Sequence, residues 1–245
     1  MTQSSIEWTE QTWNPVTGCT KISAGCKHCY AETMARRLRA MGVAGYENGF
    51  AVACHENRLS VPLRRKTPTM YFVNSMSDLF HPKVPFAFID KVMQTISETP
   101  QHTYQILTKR PATMAKYFAR RSVPKNAWLG VSVENKRHGV PRIDILRGID
   151  ANIRFLSVEP LLEDVGEIDL AGIHWVIVGG ESGKGARPMR PEWVAGVKRQ
   201  CRGAGARFFF KQWGAHDRNG VKGSKKGNGR MYRGRIYDEM PVVTA

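Results

Sequence analysis

Thr69–Asp78 reads TMYFVNSMSD. The run TMYFVN is short, apolar and rich in β-branched and aromatic residues, which predicts a buried strand. It stops in polar residues, Ser75-Met76-Ser77-Asp78. Downstream, Pro85–Glu98 keeps Phe86, Ile89, Val92, Met93 and Ile96 at helical spacing. Thr103–Leu107 (TYQIL) is the next strand and ends at Thr108-Lys109-Arg110; Pro111–Ala119 fits a short helix with Pro at its first position. The same alternation continues. Strands are expected at Trp128–Val133, ending at Glu134-Asn135, at Arg154–Val158, ending at Glu159-Pro160, and at His174–Val178, ending at Gly179-Gly180-Glu181-Ser182. A last strand, Arg207–Phe210, leads to Lys211-Gln212-Trp213, with a helical turn at Arg142–Leu146 and a helix at Pro191–Cys201. Upstream lie a strand at Thr12–Val16, a helix at Ala31–Ala40 stopped by Gly42, and a weaker strand at Phe50–Cys54.

This is a βα unit repeated six or seven times, with strands suited to a parallel sheet buried on both faces. Polar, chemically able residues follow nearly every strand. The expectation is an α/β, TIM-barrel-like fold, partial, with its site at the carboxyl ends of the strands. A doubly wound open sheet is the alternative. No internal repeat is present, and no linker precedes residue 213. The expected domains are 1–213 and a basic extension, 214–245.

The chain has 245 residues with 37 Lys and Arg against 21 Asp and Glu, a net charge of +16. Such a balance points to a polyanion, nucleic acid or a nucleotide-bearing substrate, although a basic surface on an ordinary enzyme gives the same count. The first residues lack an apolar signal region, and no stretch approaches the length of a membrane span, so a cytoplasmic protein with no membrane partner is expected.

Gly18–Tyr30, GCTKISAGCKHCY, gathers Cys19, Cys26 and Cys29, three of the five cysteines. Three readings of them stay open. A cluster with only three thiolate ligands keeps one iron open for chemistry. Zinc would need a fourth ligand, His28 or Cys54. Plain thiols are the third, since disulfides would leave an odd cysteine and lack a secretory context. Cys54 and Cys201 read as buried thiols. Helix 31–40 carries Arg36, Arg37 and Arg39. Gly214–Arg235 is rich in Gly, Lys and Arg, which reads as a flexible tail or a phosphate-binding arm; Met231, Tyr232, Ile236 and Tyr237 are placed to dock it back. Gly179–Ala186, GGESGKGA, looks like a phosphate loop but lacks the required first Gly and the Ser or Thr after Lys184.

The cysteine loop, together with NSMSDLFH (74–81), ILTKRP (106–111), GVSVEN (130–135), FLSVEPLL (155–162), WVIVGGESG (175–183) and FFKQWG (209–214), resembles the three-Cys-motif bacteriophage protein family. The likeness covers Trp13 to Trp213. That family in turn resembles the radical S-adenosylmethionine enzymes, spore photoproduct lyase above all. The resemblance implies a partial (β/α)6 barrel with an extra strand. It implies a [4Fe-4S] cluster on Cys19, Cys26 and Cys29, S-adenosyl-L-methionine on the open iron, and a 5′-deoxyadenosyl radical. The usual spacing there is Cys-x3-Cys-x2-Cys; here the first gap is three residues longer.

By strand position, the resemblance implies that Ser75, Ser77 and Asp78 hold the methionine amino group. Ser132 and Glu134 would hold ribose hydroxyls. Lys109, with Arg110, would hold the methionine carboxylate or a substrate phosphate, and Glu159 and Glu181 would orient ligand or substrate. Some have a plainer reading: a hydroxyl satisfied by backbone for Ser132, a solvated basic pair for Lys109 and Arg110, structural acceptors or caps for Glu159 and Glu181. Lys211 and Gln212 follow the last strand. Two functions are carried forward. One is a radical S-adenosylmethionine enzyme on a nucleic acid or nucleotide-like substrate, served by an electron-donor protein; the other is a zinc-stabilised nucleic-acid-binding protein without catalysis.

Overall fold

The structure is a computed structural model that describes residue 4 and residues 6–242. The chain forms two compact units. One takes the chain up to Lys21, then Cys29–Gly130 and Gly148–Asn152. The other takes Ile22–His28, Val131–Arg147 and the chain from Ile153 onward.

The first unit contains β1 (Gln11–Trp13), β2 (Val16–Thr17), α1 (Tyr30–Ala40), β3 (Ala53–Cys54), β4 (Met70–Val73), α2 (Phe86–Ser97), β5 (Thr103–Thr108) and α3 (Pro111–Phe118). It also holds the first four residues of β6 (Ala127–Ser132). Its strands run in the order β1-β4-β5-β6. β1 pairs parallel to β4 with Trp13 opposite Val73, and β4 pairs parallel to β5 with Val73 opposite Ile106. The expected strand at Thr12–Val16 is broken in two. Pro15 has no N–H to give a ladder, and Asn14 Oδ1 instead accepts from Met76 N at 3.1 Å and Ser75 Oγ at 3.2 Å. The expected Phe50–Cys54 strand shortens to β3, which pairs antiparallel with β2 and stays outside the main sheet. The core is aromatic. Tyr71 stacks on Tyr104 at 5.4 Å between centroids, and Trp13 meets Tyr104 edge-on at 5.7 Å. Each such fully buried ring contributes about 2–3 kcal/mol by removal from water.

The second unit continues β6 and adds α4 (Pro141–Arg147), β7 (Ile153–Val158), β8 (Trp175–Gly179), α5 (Pro191–Ala204), β9 (Arg207–Gln212) and the short α6 (Lys225–Asn228). Its strands run β6-β7-β8-β9; Val158 lies opposite Val178 and Val178 opposite Phe210, both pairings parallel. All five residues of β8 are buried, so a helical or loop layer covers both of its faces, as the continuous apolar run WVIV required. α5 ends where Gly205 adopts φ 70°, a left-handed cap that other residues resist.

The seven parallel strands, each overlapping a strand expected from the sequence, give the α/β class anticipated. Tail docking follows two of the four expected side chains. Tyr232 and Tyr237 are buried, whereas Met231 and Ile236 are more than half exposed. Phe210 N donates to Tyr237 O at 2.9 Å, and Trp175 Nε1 to Glu239 O at 2.8 Å. Among the described residues no helix is long and apolar enough to cross a membrane.

Candidate functional site

In the first unit the cysteine loop begins at Gly18, with φ 79°. A Cβ there would lie 2.0 Å from Ala51 O, so only glycine lets the chain pass. Cys19 N then donates to Phe50 O at 3.2 Å. Cys19 Sγ accepts from Arg110 Nη1 at 3.4 Å. Burial pushes the Cys19 thiol above its ordinary value, and the nearby Arg110 charge only partly offsets this. Arg110 is itself held at four points. It donates to Asp78 Oδ2 at 3.0 Å, to Thr20 O at 2.9 Å and to Thr20 Oγ1 at 3.1 Å, besides the sulfur. Cys29 stands immediately before α1, makes no side-chain bond to its first turn, and packs with Leu38 and Phe50 on Ala31, Ala35, Tyr46 and Met76.

Asp78 is buried and fully engaged. Oδ1 accepts from Thr108 Oγ1 at 2.7 Å and Phe80 N at 3.0 Å; Oδ2 accepts from Lys109 N at 3.1 Å and from Arg110. Ser77 Oγ donates to Val16 O at 2.8 Å, and Ser75 O accepts from the Tyr30 hydroxyl. These strand-end groups of β4 and β5 therefore form a hydrogen-bonded base beneath Arg110. Lys109 contributes its backbone N–H to it.

In the second unit the stretch Ser23–Cys26 is gripped from two strand ends. After β6, Glu134 is wholly buried; its Oε1 accepts from Ser23 Oγ and its Oε2 from Arg142 Nη1 at 2.6 Å. Arg142 Nη1 also donates to Ser132 O at 2.7 Å. Ser23 Oγ lies 3.7 Å from Cys26 Sγ. Since the one hydroxyl hydrogen goes to Glu134, the Cys26 thiol is the donor there. Beyond β8, Glu181 accepts from Arg187 N at 2.9 Å, Arg187 Nε at 2.8 Å and Arg187 Nη2 at 2.5 Å. Arg187 Nη2 then reaches Ala24 O at 2.9 Å. Burial works to raise the Glu181 carboxyl, but the hydrogen bonds and charge of Arg187 outweigh it and hold the group below the usual range. His28 lies against Gly185, where a Cβ would stand 2.9 Å from its Cε1. Glu159 pairs with Lys211 at 3.1 Å and accepts from Ser157 Oγ at 3.3 Å.

Sequence reasoning misses Arg142 and Arg187. Arg142 sits inside a helical turn and Arg187 just past the false phosphate loop, so neither carries a motif. All five cysteines are free of disulfides; Cys201 is buried and the other four are half-buried. Among the described residues no three His, Cys, Asp or Glu side chains stand in a ready metal-holding group. The donor set itself, three thiols outside any disulfide on one short loop, fits a thiolate-bound cluster.

Solved structures of one enzyme share this α/β fold. A cysteine-to-serine mutant of spore photoproduct lyase aligns with TM-score 0.50 and 13% identity, covering 82% of this chain and 63% of that one. Spore photoproduct lyase complexed with dinucleoside spore photoproduct gives 0.49 and 13%, with the same coverage. The chain thus spans a little under two thirds of the length of these solved proteins. The likeness shows the fold: a partial, TIM-barrel-like α/β architecture. By sequence, residues 3–241 match the family described as protein of unknown function (DUF5131), and the chain belongs to that family. No curated protein matches it.

Proposed function

We propose that this chain is a radical S-adenosylmethionine enzyme acting on nucleic acid or a nucleotide-like substrate, with Cys19, Cys26 and Cys29 as ligands of a [4Fe-4S] cluster. The observation that carries this reading is the loop itself: three thiols outside any disulfide within eleven residues, in a fold shared with spore photoproduct lyase. When bound, the cluster and S-adenosylmethionine supply one-electron cleavage to a 5′-deoxyadenosyl radical.

The chain's own residues do the rest. Arg110 presents positive charge to the Cys19 sulfur and so offsets part of the burial that disfavours its thiolate form. Ser23 orients Cys26. Ser75, Ser77, Asp78, Lys109, Ser132, Glu134, Glu159 and Glu181 are the proposed cofactor-binding residues. The four acids among them are already paired, with Arg110, Arg142, Lys211 and Arg187 respectively, so each would bind a ligand group while sharing its carboxylate with a cation. The likeness to phage three-Cys-motif proteins, an electron-donor protein, a cytoplasmic setting and a boundary at 213/214 belong to the same proposal.

Anaerobic purification tests it. The expected protein is brown with about four irons and four sulfides per chain, and Cys26→Ala loses them. Colourless protein carrying one zinc per chain would overturn the reading and favour zinc on the three cysteines with His28 or Cys54.

A further inference from the structure

Residues 214–235 hold seven cations, Arg218, Lys222, Lys225, Lys226, Arg230, Arg233 and Arg235, against one acid, Asp217. That acid is spent on its own turn: Asp217 Oδ1 accepts from Asn219 N at 2.9 Å and Val221 N at 2.8 Å. Among the described residues no ion pair neutralises Arg218, Lys222, Lys226, Arg230, Arg233 or Arg235. All of the seven except Arg230 are exposed.

The segment is nevertheless fixed at its root. Trp213 Nε1 donates to Met231 O at 2.9 Å, and Asn228 Nδ2 to Gly214 O at 3.0 Å. Tyr232 packs between Phe210 at 5.5 Å and Trp213 at 6.0 Å. Ser224 caps α6 by accepting from Gly227 N at 2.9 Å. Two guanidinium groups are planted on rings, Arg235 at 4.7 Å from the Tyr237 centroid and Arg233 at 5.6 Å from that of Tyr232. Arg230 lies 4.9 Å over Phe209, with Nε and Nη2 buried and without acceptors. Seven like charges on twenty-two residues repel one another, so a segment ordered with so little counter-charge is costly in the free protein. A polyanion would relieve that cost, and a preformed array loses little entropy on binding it.

We infer that residues 214–235 form a docking surface for the phosphate backbone of a nucleic-acid duplex. This rests on the nucleic-acid part of the proposed function but not on its radical chemistry. The aromatic rings of the segment decide against two other occupants. Trp213, Tyr232 and Tyr237 are buried in their own cluster, so no ring is offered to an unstacked base and none to a membrane interface. What remains is phosphate contact, which positions a duplex without reading its sequence.

The test is fluorescence anisotropy of labelled, mixed-sequence DNA and RNA duplexes across a salt series, with the full chain as purified. Duplex binding weakens linearly in log–log form. Lys222→Gln/Lys225→Gln/Lys226→Gln flattens the slope by about 0.9 for each phosphate that is no longer neutralised, up to about 2.7 for three. Arg233→Gln/Arg235→Gln flattens it independently, and scrambling the duplex sequence changes affinity less than about twofold. Circular dichroism of each variant separates this from misfolding. An unchanged slope in both folded variants would overturn the inference. So would absence of duplex binding at low salt, tighter binding of the matching single strand, or preference for phosphatidylglycerol vesicles. The iron-free Cys26→Ala chain gives the same slope as wild type, so duplex docking and the cluster can fail separately.

Discussion

Replacing Arg142 by Met isolates the grip on the Cys26 segment. The Arg142 and Glu134 side chains are 8% and 0% exposed, and they meet at 2.6 Å. Removing the cation leaves a buried carboxylate without its counter-charge, and uncompensated buried charge costs about 3–5 kcal/mol. The bond from Arg142 to Ser132 O goes as well, worth about 1 kcal/mol. Taken together, Arg142→Met is expected to cost about 4 kcal/mol. With a urea m-value of about 3 kcal/mol/M, the unfolding midpoint falls by roughly 1–2 M. Glu134→Leu/Arg142→Met removes both charges, so it recovers at least half of the loss, because a buried pair replaced by apolar groups is close to neutral. The two differ at the thiol. In Arg142→Met, Ser23 keeps its acceptor and Cys26 alkylates at nearly the wild-type rate, read by mass spectrometry of quenched samples. In the double variant Ser23 is released and Cys26 alkylates faster. A single-variant cost below about 1 kcal/mol, or a double variant no more stable than the single, refutes the reasoning.

Other outcomes follow from the same geometry. Gly18→Ala must place a methyl group within 2.0 Å of Ala51 O at a left-handed φ, so it lowers stability by more than about 2 kcal/mol, measured by urea unfolding. Glu181 has its carboxyl held below the usual range in the folded chain. Its contribution is therefore present above that range and fades as pH falls through the lowered folded value. The gap in thermal midpoint between wild type and Glu181→Gln is expected to be widest near neutral pH and to narrow on acidification; a gap that widens in acid contradicts the Arg187 pairing.

The strands and helices are legible because each is a short run whose period or composition is local. Tyr71, Phe72 and Val73, or Trp175 to Val178, cannot be placed on a half-solvated face. The break at Pro15 is an exception, as is the shortening of the Phe50–Cys54 strand. The break turns on Asn14 binding residues some sixty positions away, which no window of sequence contains. The candidate site is legible only as residue types at strand ends. Asp78, Glu134 and Glu181 look in sequence like acids awaiting a ligand; in the folded chain each has met an arginine 32, 8 or 6 residues away. Separations of that kind carry no periodic signal, so the partners cannot be read in advance. The tail reads from its Gly and Lys content as flexible or as a phosphate arm. Of the rings that root it, Tyr232 and Tyr237 are expected from the sequence to dock, whereas Trp213, some twenty positions upstream, is too far along the chain to be read as part of the same cluster.

Gly179 has an ordinary backbone yet no room for a side chain. A Cβ there would come within 2.3 Å of Glu159 Oε1, the oxygen that meets Lys211 at 3.1 Å. The constraint comes from a charged neighbour, and a charged neighbour can be shortened. Relatives of this chain that carry alanine at this position should have traded the glutamate opposite for aspartate, whose shorter arm clears the methyl group, whereas those that keep the glutamate should keep the glycine. The three positions would then drift through evolution as one unit, although they lie 20 and 32 residues apart along the chain.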